Sequence, residues 1–93
     1  MTTDNESWAR FVGQIVVIDT SSSFVYIGTL TEVLDNFLVM RDVDAHDRSE
    51  GQATKERYVM ETKRFGVKSN RREVAVRKSV IVSVSKLDDV VVY

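Results

Sequence analysis

Glycine weakens a strand, yet one stands in the middle of the most β-prone run of this chain. In FVYIGTLTEVL, residues 24–34, β-branched and aromatic residues dominate, and Phe24, Tyr26, Gly28 and Leu30 fall on one face of the alternation. A strand interior tolerates glycine where it must bend sharply or where another backbone approaches closely. A bend is the reading adopted here, and it restricts the chain to strongly curved sheets.

The flanking segments agree. QIVVID, residues 14–19, has apolar residues at four successive positions, so both faces of that strand are expected to be covered. The polar TSSS turns the chain. Asp35 and Asn36 separate two apolar runs and read as a tight turn, because both tolerate left-handed backbone. FLVMRDV follows as a third strand; EVAV and VIVSVSKL read as two more, separated by RKS, and VVVY closes the chain. Ahead of them, TDNESWARFVG reads as a short helix. Thr3 and Glu6 are spaced as a capping box, Trp8, Phe11 and Val12 share a face, and Gly13 is placed to end it. Trp8 is therefore expected in the core. Between strands three and four, DAHDRSEGQATKE reads as a solvated loop and RYVME as a strand extension, so that residues 44–72 form a projecting hairpin.

One helix followed by about five short strands, with no crossover helix, predicts a mostly β domain: a small, strongly bent five-stranded antiparallel barrel spanning residues 1–93. Ninety-three residues bury only a modest core, and without cysteine there is no disulfide to reinforce it. Association between subunits is the expected remaining support. No apolar run approaches the roughly 20 residues that span a bilayer, and the N-terminus lacks a signal-peptide pattern, so a cytoplasmic protein without a membrane is expected.

Charge is uneven. Residues 1–50 carry nine acidic and three basic side chains, net −6, and residues 51–93 five and ten, net +5, giving the overall −1. Such asymmetry fits a polyanion-binding face, although a solvated hairpin is the plainer reading of charge alone. Enzyme chemistry has little to stand on. His46 between Asp44 and Asp47 is at most a weak cation site, SSS has no base nearby in sequence, and the four glycines are isolated, so there is no phosphate-binding loop. No metal or other cofactor is expected.

Two motifs complete the reading. YIGTLTEVLDNFLVMRDV, residues 26–43, presents Tyr26, Gly28, Leu30, Asp35, Asn36 and an apolar strand; VRKSVIVSV, residues 76–84, presents Val76, Arg77, Ile81 and Val84. In this order the two resemble the paired signatures of the Sm-like proteins, the family that includes bacterial Hfq. With the preceding helix, the resemblance covers about residues 5–43 and 73–87, leaving residues 44–72 as a variable insertion and 88–93 as a tail. Lys78 stands where the family's glycine follows the arginine, and the stretch from Gly28 to the acidic turn is one residue longer than the common pattern.

The resemblance implies a homo-oligomeric ring, a hexamer or heptamer, that binds single-stranded, often uridine-rich RNA around its pore. Carried over to this chain, Asn36 would meet a base edge, Phe37 would offer a stacking surface, and Asp35 would orient the turn. Arg77 would brace the pocket or meet phosphate, with Lys78 adding charge beside it. The competing expectation for the same residues is a hairpin turn, a core phenylalanine and a structural salt bridge. The corresponding function is an oligomeric structural or protein-interaction scaffold without RNA binding. The basic set Lys63, Arg64, Lys68, Arg71 and Arg72, away from the expected pore, would bind RNA on an outer face or serve only solubility, and solubility is the preferred expectation.

Overall fold

The computed structural model describes residues 4–47 and 54–92. Helix α1 (Asp4–Ala9) precedes strands β1 (Ile15–Thr20), β2 (Phe24–Val33) and β3 (Phe37–Asp47). Helix α2 (Lys55–Phe65), β4 (Arg71–Arg77) and β5 (Ile81–Lys86) follow, with 3-10 turns at Lys78–Val80 and Leu87–Asp89. All strands belong to one antiparallel sheet of order β4-β3-β2-β1-β5, with β4 and β5 as its edges.

Gly28 is where the sheet bends. A Cβ there would stand 3.0 Å from the Arg41 carbonyl oxygen, the Val43 Cα and the Val43 Cγ2, so the β3 backbone passes where a side chain would be. Ile27 pairs with Asp44 but Thr29 with Arg41, which leaves one extra residue on β3, and Asp42 takes φ 52 within that bulge. A second bulge lies on β2, where Leu30 pairs with Met40 and Glu32 with Val39. Thr31 is the residue left over, and its hydroxyl donates to the Val39 carbonyl at 3.2 Å.

The curved sheet buries apolar residues on both faces. Val16, Ile18, Leu30, Leu38, Met40, Val43 and Val76 form the inner core, with Trp8, Phe11, Ile81 and Val84 packed on it. Val17, Val25, Ile27 and Leu87 form a second cluster on the outer face, joined by Tyr58, Val59, Val67 and Val90. The unbroken apolar run in β1 thus serves two layers. In the turn after it, the Thr20 hydroxyl donates to the Phe24 carbonyl at 2.7 Å.

The Thr3 cap lies outside the described residues. Two local expectations change. Helix α1 ends at Ala9 in tighter bonds, Phe11 N–H to Trp8 and Val12 N–H to Ala9, which turn Val12 outward to 43% exposure; Gly13, at φ 85, lets the chain leave. The second correction is the larger: residues 55–65, expected as part of a projecting hairpin with RYVME as a strand extension, form a helix laid on the outer cluster. Thr54 caps it by accepting from the Arg57 N–H at 3.1 Å, Glu56 lies in its first turn and Lys63 and Arg64 in its last, and Gly66 at φ 91 ends it. The Lys55 ammonium anchors its start by donating to the Asp19 carboxylate at 2.6 Å and to the Thr20 and Ser22 carbonyls. Tyr58, Val59 and Thr62 fall on the face it turns to the sheet. Among the described residues no helix is long and apolar enough to cross a membrane.

The Gly28→Ala variant is expected to lose about 1–3 kcal/mol, because backbone and not a flexible side chain must yield; a denaturant midpoint close to wild type would show that the approach is not tight. A second test concerns Tyr58, whose ring stacks on His46 at 3.9 Å between centroids and whose hydroxyl is buried near the Asp44 carboxylate. Burial first, and the Asp44 carboxylate second, raise this phenol well above its ordinary value. The folded state therefore holds the proton more tightly than the unfolded chain. Stability should be intact below about pH 10 and fall as pH rises beyond it; Tyr58→Phe should flatten that alkaline loss, measured as melting temperature against pH.

Candidate nucleic-acid interface

The hairpin between β2 and β3 closes with the Leu34 N–H donating to the Phe37 carbonyl at 2.9 Å, which puts Asp35 and Asn36 at its tip. Neither needs left-handed backbone, contrary to expectation; among described non-glycine residues only Asp42 has a positive φ. The β4 end lies against this tip. Phe37 is the register partner of Arg77, and the Lys78 N–H donates to the Asn36 carbonyl at 2.9 Å. All five candidate residues, from two segments some forty positions apart, thus meet at one end of the barrel.

Their side chains divide into two groups. The Arg77 guanidinium lies over the Phe37 ring, 5.2 Å from its centroid, and forms no salt bridge among the described residues. Phe37 is half-buried and Arg77 exposed, so the pair forms a flat, positively charged surface open to solvent. Asn36 is exposed beside it. The second group is structural. Asn5 of α1 donates to the Asp35 carboxylate at 3.3 Å and accepts from the Lys78 ammonium, which also lies 5.8 Å from the Trp8 ring centroid. Asp35 and Lys78 are therefore tied to the helix, and Asn5, which the sequence did not mark, is the link between them. Lys78 lies in a 3-10 turn without a positive φ, so lysine in place of glycine imposes no backbone strain.

Chemically, a planar aromatic ring, a planar guanidinium and an amide offering both donor and acceptor can stack a base, meet its edge and neutralise a phosphate. His46 is engaged with Tyr58, and among the described residues no three His, Asp or Glu side chains converge on a point that could hold a metal ion.

Lys78→Ala should free α1 at this end. The expected signature is a red shift of the emission of Trp8, the chain's one tryptophan, with a stability loss of no more than about 1 kcal/mol; unchanged emission would mean that the inner core alone holds the helix.

No family model matches the chain, and no curated protein matches it. Among solved structures it is similar to an Sm protein of Pyrococcus abyssii in complex with a uridine heptamer, at a TM-score of 0.57 and 12% sequence identity, over 91% of this chain and 99% of that one. The likeness extends over the helix, the five strands and the strong bend, and the chain has an Sm-like fold.

Proposed function

We propose that this protein is a cytoplasmic, ring-forming Sm-like protein that binds single-stranded RNA, uridine-rich sequences among them, at the Asn36, Phe37 and Arg77 cluster. The observation that carries this reading is the exposed Arg77 guanidinium over Phe37 beside the free face of Asn36. The uridine oligomer held by the archaeal Sm protein of similar fold supports the ligand class.

Asp35 and Lys78 act indirectly here, fixing the turn against α1. A base stacks on the ring or the guanidinium, its edge meets the Asn36 amide, and the chain's phosphates meet Arg77. Each such pocket is modest, and repetition around a ring multiplies it. The open edges of β4 and β5 supply the means of assembly, with Val82 of β5 66% exposed. Head-to-tail pairing of one edge with the other closes into a ring of six or seven copies.

Light scattering at low salt, with and without an oligouridine, tests both parts. The expected result is a six- or sevenfold particle that gains the mass of the RNA. Its log K should fall by about 0.7 per phosphate contact per decade of salt. Arg77→Ala should weaken binding by roughly tenfold or more while leaving the mass unchanged. A ring indifferent to RNA would replace this reading with the scaffold function, and a monomer would remove the ring.

A further inference from the structure

Helix α2 turns Tyr58, Val59 and Thr62 toward the sheet, with Thr62 buried and the other two partly so, and by position Phe65 continues that stripe, seven residues beyond Tyr58. Yet Phe65 is 70% exposed. Its side chain forms a wall shared by two clefts. One, of about 430 Å³, runs along the outer face of α2 past Arg57, Met60 and Arg64. The other, of about 110 Å³, lies toward the sheet between Asp44, Tyr58 and Lys68.

Three cations, Arg57, Arg64 and Lys68, line these clefts against two carboxylates, Glu61 and Asp44. Arg57, Arg64 and Lys68 are exposed; of the acids lining the two clefts, Glu61 is engaged by Arg57 at 3.5 Å and Asp44 lies near the Asn70 amide. The chain continues from Lys68 to Arg71 and Arg72, also exposed. Solubility requires no phenylalanine among these cations, and a self-complementary contact between two copies would bring the cations together. An aromatic ring open to both sides and flanked by cations suits a strand of stacked bases with phosphates alongside.

From this geometry we infer that the exposed end of α2 is a second binding site for single-stranded nucleic acid, in which Phe65 stacks a base and Arg64 and Lys68 meet phosphates. It shares its ligand class with the proposed function but none of its residues. The solubility role expected for Arg64 and Lys68 becomes a binding role.

The test uses a long oligouridine carrying photoreactive 4-thiouridine, with the full-length protein and its Phe65→Ala, Phe65→Trp and Arg77→Ala variants, each checked for particle mass. The expected result is cross-linking within residues 64–68 as well as at the Asn36 turn, an affinity roughly tenfold lower in Phe65→Ala, and recovery in Phe65→Trp. Loss in Arg77→Ala with wild-type behaviour in Phe65→Ala would overturn this site and leave the turn cluster standing. The reverse pattern would sustain the α2 site and remove the turn cluster. Absence of any binding by the unaltered protein would overturn both. A changed particle mass in Phe65→Ala would overturn the inference in favour of a contact between subunits or with another protein.

Discussion

Everything in this fold depends on how closely β3 passes Gly28. An antiparallel sheet of five strands with ordinary twist would leave its inner face open over so short a chain. The contact of bare glycine with the Arg41 carbonyl and the Val43 backbone lets β2 and β3 fold over together, and the bulge at Asp42 takes up the difference in path length. Because β2 and β3 bend, Leu30, Leu38, Met40 and Val43 converge with Val16 and Ile18 on one small core. Because that core is small, α1 and the turn after it close one opening of it through Trp8 and Phe11. The position of the candidate site is a further result of the same curvature, since it brings the β2–β3 tip to the end of β4.

The strands, their order and the glycine bend were legible because each depends on residues close in sequence. Alternation, a continuous apolar run in β1 and turn residues at Asp35 and Asn36 are local signals, and the five barrel strands read from them are present, whereas the RYVME extension is not. The meeting of Asn36 with Arg77 and Lys78 was legible only through the family resemblance, since no local pattern joins residues so distant. Asn5 carried no signal at all: an asparagine in the first turn of a helix has many roles, and its bridge between Asp35 and Lys78 is purely tertiary.

The insertion shows the opposite failure. Tyr58, Val59 and Met60 together look β-prone, and the polar residues around them look like loop. What decides for a helix is the Thr54 cap, the charges placed along the helix dipole and the outer cluster on β1 and β2 that needed a cover. The last of these is visible in sequence only as the doubly apolar face of β1, and once it is recognised some element must be found to lie there. Helix α2 is that element, and its last turn leaves Phe65 in solvent.

Placing a helix between β3 and β4 also changes how the molecule is built in time. A tight hairpin would let these two strands zip together as soon as they were made; here Val43 finds Arg71 only after an intervening helix has been accommodated. The closure entropy of that longer loop must be met before the pairing bonds repay it, which slows this step relative to the β1–β2 and β2–β3 hairpins. Until β4 docks, β3 is itself an unprotected edge bearing Leu38, Val39 and Met40. A newly made chain is therefore at its most vulnerable to pairing with the wrong neighbour during the interval that its own insertion creates.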